Sequence, residues 1–321
     1  MFDAPVVIPW GDESCMAHDV EYIEVFPSFT RTLGRFHYLL KDILEMMYWP
    51  NVDALDSFDT LFITKTGPGW YLPRDHHRVI GYVHSTPRNM SDRYDRSNSP
   101  LKSLLYTIMR AMYHHTTARY DSIIANSETV ARRIKMYWGR EVDAVAYPTG
   151  GMHIPDPKDG SGYITLSRLE PNKAVSELVD VFTELEISLD VYGDGTLKDD
   201  IQSMSGPMVT VHGYIPEENK WDALRSAGAF VFNAHAEDFG LAPIEAMFAG
   251  TPVIGVDEGY TSEQIIDGMN GILYDRGQLK ESIERFEHEG VQWSPEQIQK
   301  DAKERFQPDR FDQVVRGIID G

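Results

Sequence analysis

The side chains best placed to do chemistry fall in three short stretches of the chain. In "EDFGLAPIE", Glu237 and Glu245 stand eight positions apart across Gly240 and Pro243. In "SRLEPNK", Arg168 and Lys173 flank Glu170. In "GYVHSTPR", His84 closes an apolar run and precedes Pro87 and Arg88. Spacing alone does not single out the glutamates, because pairs eight apart also occur at 13/21, 281/289 and 296/304. Local context does. Glu237 follows the strand-like "AFVFNA", Gly240 lets backbone approach a ligand closely, and Pro243 suits the first turn of a helix. Gly250, with Pro252 beyond it, ends that helix. Glu245 is therefore expected in the first helical turn beside free N–H donors, with Glu237 on the loop facing it.

Arg168 is expected at the end of a strand, and Lys173 at the start of the next helix. A cation at a helix N terminus opposes the macrodipole, which favours anions there. An anion between them, such as a diphosphate held by Arg168, Lys173 and backbone N–H groups, resolves that conflict. The competing reading is an exposed lysine screened by Glu170. His84, one of 11 histidines, is either structural or a strand-end group that faces a ligand. Other patterns fail. "VYGDGTL" lacks the third glycine of a dinucleotide fingerprint and reads as a tight turn. His76-His77 and His114-His115 are adjacent pairs with no carboxylate to complete a metal set. No Asp-x-Asp occurs, so a metal-bridged diphosphate site of that type has no support.

The elements that must position these groups alternate. "YITLS", "ISLDVYG", "MVTVHGYI", "AFVFNA", "TPVIGV" and "GILYD" read as strands. Between them "KAVSELVDVFTEL", "WDALRSAG", "APIEAMFAG" and "TSEQIIDG" read as helices. Such alternation predicts a parallel sheet covered on both faces. The N-terminal half repeats the theme less regularly, with strands at "VVIPW", "EYIEVF", "TLFITK", "HRVIGYVHS" and "YDSIIANS" and helices over 31–48, 99–118 and 127–138. The Gly- and Pro-rich stretch at 147–162 is the linker. Two α/β domains joined near residue 150 are expected, with a cleft between them as the ligand site. The segment 31–49 mixes Arg31, Arg35 and Lys41 with Phe36, Leu39, Leu40, Leu44 and Trp49. It reads as a core-packed helix or a membrane-surface helix, with Asp42 and Glu45 interrupting the basic face.

Composition narrows the classes further. With 321 residues and 42% hydrophobic content the chain can build one large or two ordinary domains. A single cysteine, Cys15, excludes an internal disulfide framework and cysteine-rich zinc patterns. No run of about 20 apolar residues predicts a membrane span. The N terminus does not read as a signal peptide, so a cytoplasmic location is expected. A net charge of −20 argues against a nucleic-acid partner. It arises from 28 Asp and 22 Glu against 11 Lys and 19 Arg, which fits either a halophilic source or plain acidity.

Taken together, "SRLEPNK", "HGYIP", "EDFGLAPIEAMFAGTPVIG" and "EQIIDGMNGILYD" resemble the donor-binding domain of glycosyltransferase family 4. "YVHSTPR" and "DSIIANSETVARRIKMYWG…VAYPTGG" are similar to its N-terminal motifs and lean toward a branch containing mannosyltransferases of bacterial O-antigen synthesis. The resemblance covers residues from about 30 to about 275 and implies the GT-B fold: two Rossmann-like α/β domains with parallel sheets facing a central cleft. It implies an acceptor-side domain over 1–150, joined by the C-terminal helix 305–321, and a donor-binding domain over 151–304. The implied activity is retaining transfer of a hexose, mannose by branch, from a GDP- or UDP-sugar to a glycan or lipid-linked acceptor. No metal or other cofactor is implied, and peripheral contact with the inner membrane face is.

By the same resemblance Arg168 and Lys173 neutralise the leaving diphosphate, Glu245 accepts from the ribose hydroxyls, and Glu237 holds the transferred sugar near the amides of Phe239, Gly240 and Leu241. His84 lines the reaction centre, and Gly213, Tyr214 and Ile215 border the base. There are departures. Only Gly11 stands where the family has a Gly-Gly loop, "NAHAEDFG" replaces a Pro-Ser, and Tyr260 replaces a glycine, reshaping the donor pocket. The shortened N terminus keeps a non-catalytic nucleotide-sugar-binding partner subunit open as a second reading, and a nucleotide-sugar epimerase of the same fold is a third. A nicotinamide oxidoreductase is remote.

Overall fold

The segments "YITL", "AFVF" and "VIGV" are buried at every position. A strand achieves that only inside a sheet covered on both faces, as parallel α/β sheets are. The computed structural model describes residues 6–8, 22–26, 38–64, 67–87, 100–149 and 154–321. Gly11, Arg88, Arg31, Arg35 and Phe36 lie outside them. By contacts the described residues divide into two units. One takes in those up to Asn126, Val130–Val145 and Ile318–Gly321; the other takes in Ser127–Thr129 and Ala146–Gly317.

In the first unit, β1 (Val6–Ile8) pairs in parallel with β2 (Tyr22–Glu24). A second, all-parallel sheet runs β3 (Thr60–Ile63), β4 (Arg78–Val83), β5 (Ser122–Ala125) and β6 (Ala144–Val145) in that order. The helices are α1 (Tyr38–Tyr48), α2 (Pro100–Thr117) and α3 (Glu128–Trp138). Tyr106, Met109 and Tyr113 of α2 recur every three or four residues, and Val130 and Ile134 of α3 are four apart. That spacing puts each set on one face, in a core shared with Val79, Ile123 and Trp70. Leu44, Glu45 and Trp49 are buried. That settles the described part of the 31–49 segment as core-packed, and Glu45 as an interior residue, not an interruption of a surface face. At the C terminus, Arg78 donates to the carbonyls of Ile319 (2.6 Å) and Ile318 (2.8 Å).

The second unit is a six-stranded parallel sheet in the order β12-β11-β10-β7-β8-β9. Its strands are β7 (Tyr163–Leu166), β8 (Leu189–Tyr192), β9 (Val209–Gly213), β10 (Ala229–Phe232), β11 (Val253–Val256) and β12 (Gly271–Tyr274). Its helices are α4 (Val175–Leu185), α5 (Lys198–Met204), α6 (Glu217–Ser226), α7 (Leu241–Phe248), α8 (Thr261–Gln264), α9 (Leu279–Glu289), α10 (Pro295–Phe306) and α11 (Pro308–Asp320), whose residues from Ile318 on belong to the first unit. Alternation along each strand feeds two cores. Ile164, Phe230 and Phe232 pack with α6, α7 and α10. Tyr163, Ala229 and Val231 pack with α4, α5 and α9. Each fully buried large apolar side chain contributes roughly 1.5–3 kcal/mol.

Some elements differ from the sequence reading for identifiable reasons. The helix expected over 261–268 is a single turn, because the Asn270 side chain accepts the Ile266 N–H (2.7 Å) and turns the chain away. The α10 helix, not foreseen, starts with a capping box in which Ser294 and Gln297 satisfy each other's backbone N–H groups.

Candidate functional site

The site groups hang on the loops that leave the C-terminal ends of β7, β9 and β10, where a parallel sheet collects its ligands. After β7 the chain runs through Ser167–Glu170, makes a 3-10 turn over Pro171–Lys173 and enters α4 at Ala174. Lys173 thus ends the turn ahead of the helix; it does not open the helix, as the sequence suggested. The "GDG" turn fixes this loop. Gly193 lies so close that a Cβ there would overlap the Ser167 carbonyl oxygen. Leu169 N–H donates to Asp194 O (2.9 Å), and Leu197 N–H donates to Leu169 O (2.9 Å). The failed dinucleotide motif is therefore a support for the Arg168 loop. Arg168 itself is exposed.

After β10 a loop leads to α7, whose N-cap is Gly240 (φ 77°). Among the described residues no side chain caps this terminus, which leaves its first-turn amides open to an acceptor. Glu237, on this loop, forms an ion pair through Oε2 with Lys173 Nζ. The lysine side chain is only 12% exposed and lies over the Phe232 ring at 5.9 Å. A pair this sheltered interacts more strongly than a surface one.

Glu245 belongs to the second turn of α7, not the first, since the helix starts at Leu241. Its Oε1 accepts from Lys220 Nζ on α6 at 2.8 Å. Lys220 is also 12% exposed, sits 5.1 Å from the Trp221 ring centroid and pairs with Glu217 at 2.7 Å. Burial works against its charge, yet the two carboxylates hold the Lys220 ammonium above its ordinary range. In return Glu217 is held below its own, chiefly by the Lys220 hydrogen bond. Sequence reasoning missed Lys220. Its signal was there, a lysine one turn into a helix that follows a strand-end "HGYIP", but Glu217 and Lys220 three apart look like an ordinary solvated pair.

Glu237 and Glu245 are thus each matched to their own lysine. Glu237 Oε1 and Glu245 Oε2 have no protein partner among the described residues and remain as acceptors. Gly213 ends β9 with φ 77°, and its carbonyl accepts from Gly193 N–H (2.7 Å). Beyond it Tyr214 is 75% exposed, while Ile215 packs on the core. Phe239 is buried, so only its backbone faces the site. Tyr260 is 1% exposed and stacks on Phe239 at 4.9 Å. That corrects the expectation that it reshapes a pocket: its ring fills the core behind the loop, beside Tyr147 and Phe306. His84 lies in the first unit just past β4, exposed, its ring 4.8 Å from that of Tyr82. Among the described residues no cluster of His, Cys, Asp or Glu is arranged to hold a metal ion.

Against this geometry, comparison with known proteins is specific. Residues 155–305 match the model of the family described as glycosyl transferases group 1. An uncharacterized glycosyltransferase of Methanocaldococcus jannaschii is 25% identical over 181 residues, 54% of this chain and 52% of its own length. The alpha-1,3/1,6-mannosyltransferase of Homo sapiens is 25% identical over 311 residues, 83% of this chain and 74% of its own. The crystal structure of Anabaena HepE in complex with UDP-glucose is 16% identical with a TM-score of 0.66, covering 94% of this chain and 85% of that one. The chain spans about half the length of the archaeal relative. Residues 155–305 are thus similar to the glycosyl transferases group 1 family, in a chain with the GT-B fold.

Proposed function

We propose that this chain is a retaining, metal-independent family 4 hexosyltransferase. On this reading it moves a hexose, mannose first, from a GDP- or UDP-sugar to a glycan or lipid-linked acceptor. The donor binds the domain over 151–304, and the acceptor side is 1–150 with 305–321. The observation that supports it best is the Lys173–Glu237 ion pair beside the uncapped N terminus of α7. Negative charge develops on the departing diphosphate, so preorganised cations and a helix N terminus are most effective there. Arg168 and Lys173 supply the cations. Glu237 Oε1 takes hydroxyls of the transferred sugar, and Glu245 Oε2 takes those of the ribose. Exposed Tyr214 offers a face for the base. The role of His84 rests on the resemblance and is checked by the turnover of His84→Ala.

The test is calorimetric binding of GDP, UDP and dTDP in potassium-rich buffer, repeated with Lys173→Ala. One base is expected to bind preferentially, and the variant to bind it at least about tenfold more weakly. Equal weak binding of all three, unaltered by the substitution, overturns the reading.

A lipid-linked acceptor places the enzyme at a membrane surface in the cytoplasm. Among the described residues no helix is long and apolar enough to cross one. Helix α2 supports surface contact. Residues 96–120 contain no acidic side chain in a chain of net charge −20, and Leu104, Ile108 and Met112, four apart, are exposed along that helix. Co-sedimentation with anionic vesicles, lost in Ile108→Glu, is the expected result; binding retained by that variant removes the support.

A further inference from the structure

The two residues beside the Lys173–Glu237 pair have backbones that side chains rarely adopt. Ala174, just after Lys173, has φ 49°, and Ala236, just before Glu237, has φ 44°. A left-handed backbone is disfavoured for any residue with a Cβ and persists only where the surroundings impose it. Among the described residues only one other non-glycine shares it, Glu186 at the C-cap of α4, an ordinary place for such a conformation. Strain at both ends of one ion pair therefore calls for a cause.

One polar network supplies it. Asn233, buried at the end of β10, donates through Nδ2 to the Ala174 carbonyl (3.2 Å) and to Glu177 Oε2 (2.8 Å). Its Oδ1 accepts from the Tyr274 hydroxyl (2.8 Å) and Arg276 Nη1 (2.6 Å), which uses the whole capacity of the amide. Arg276 also donates to the carbonyl of Asn233 (3.0 Å) and, through Nε, to Glu258 Oε1 (2.9 Å). Glu258 Oε2 accepts the N–H of Ala236 (3.0 Å). A continuous chain of hydrogen bonds thus runs from Ala174 to Ala236, and its two ends are the two strained residues. The opposite side is closed as well. Gly259, with φ 63°, approaches Glu237 so nearly that a Cβ would overlap its carbonyl oxygen. Tyr260 N–H then donates to that oxygen (3.0 Å).

We propose that Asn233, Arg276 and Glu258 are positioning residues that hold Lys173 and Glu237 in register and so set the affinity for the donor. This rests on the donor-site reading above. The three residues contact neither diphosphate nor sugar; they act through the backbone of the two loops. Removing the Glu258 acceptor lets Ala236 relax to an ordinary backbone and swings Glu237 away from Lys173. A glycine at 236 takes the left-handed turn without assistance.

The experiment measures binding of GDP-mannose, UDP-glucose, GDP and UDP by calorimetry for the wild type, Glu258→Ala and Glu258→Ala/Ala236→Gly. Glu258→Ala is expected to bind the preferred sugar nucleotide about tenfold more weakly, and the added glycine to recover most of that loss. Arg276→Lys, which keeps the charge but not the planar fork, is expected to weaken binding in the same direction. Where Glu258→Ala does not fold, Glu258→Gln is read in its place with the same glycine rescue. Binding equal to wild type, or a loss that Ala236→Gly does not recover, overturns the positioning role while leaving the donor site intact. A wild-type protein that binds none of the four ligands overturns the donor site itself.

Discussion

Two lysine–glutamate pairs flank the same group of loops, and they are held in opposite ways. Lys220 and Glu245 sit on regular helices, α6 and α7, whose packing brings them to 2.8 Å, and neither is next to a non-glycine residue of positive φ. Lys173 and Glu237 sit on loops, each beside a left-handed alanine, and depend on hydrogen bonds from Asn233, Arg276 and Glu258. A helix fixes a side chain through its own repeat; a loop needs a brace. Loop geometry also tunes a charge by small shifts of the brace, whereas helix geometry changes only by repacking. The pair assigned to diphosphate and sugar uses the adjustable construction, and the pair assigned to ribose uses the rigid one.

The largest expected effect breaks the loop pair. Lys173→Ala leaves Glu237 partly buried without its cation and removes a positive charge from the diphosphate. On the proposed reading the variant also loses a charge-assisted contact to the diphosphate, worth about 1.5–3 kcal/mol, which corresponds to roughly a ten- to hundredfold loss in affinity for the nucleotide sugar. Lys220→Ala should cost about tenfold, because on the proposed reading Lys220 acts on the ribose only through Glu245, and its second partner, Glu217, is mostly exposed. The two losses should also differ in kind. With a nucleoside monophosphate as probe, which lacks the second phosphate, the Lys173→Ala penalty should shrink while the Lys220→Ala penalty stays. Equal shrinkage of both would dissolve the distinction between the pairs.

This contrast explains which features were legible in the sequence. The strand at "YITL" and the helix over α4 follow from periodicity, which depends only on near neighbours. The placement of Arg168 and Glu237 on strand-end loops follows from the βα alternation, whereas Lys173, expected at the start of α4, ends the 3-10 turn before it. The Lys220–Glu245 partnership was not legible, because it spans 25 residues and two helices whose relative rotation no local pattern records. The register of Glu245 failed by one turn for a related reason: Pro243 fits a helix start, but Gly240 begins the helix at Leu241. Tyr260 read as a pocket residue because the family resemblance puts a glycine there, and only packing against Phe239 reveals its burial.

Acid should separate the two constructions next. Glu258 is held below its ordinary value of 4.5 chiefly by the Arg276 hydrogen bond, with the Ala236 amide helping and the His235 ring 3.8 Å away. A carboxylate whose folded pKa is depressed contributes stability above its unfolded pKa and loses it as pH falls through the folded value. The thermal midpoint of wild type relative to Glu258→Ala should therefore hold steady from neutral pH down to about 4.5 and converge below it. Glu217 obeys the same sign, but it is mostly exposed, so Glu217→Ala should show a smaller convergence. A Glu258 difference that persists undiminished in acid would show that the brace does not work through its ionised carboxylate.

The smallest effect is the most discriminating. Ala236→Gly alone relieves a left-handed backbone worth about 1 kcal/mol, since glycine has no Cβ to meet the following carbonyl. It also frees the unfolded chain, which costs the folded state about 0.4–1 kcal/mol. The two terms nearly cancel, so the thermal midpoint should move by no more than a few degrees. Binding of the sugar nucleotide should be close to wild type, because the network still holds the turn from outside. If the brace imposes the conformation, the glycine is silent in the wild type and restorative only when Glu258 is gone. If instead the turn is imposed from the other side, by Gly259 and the Tyr260 amide, the glycine is silent in both backgrounds. Rescue confined to the braceless protein is what assigns the strain at Ala236 to Glu258, and no comparable dependence should exist for Glu245 on its helix.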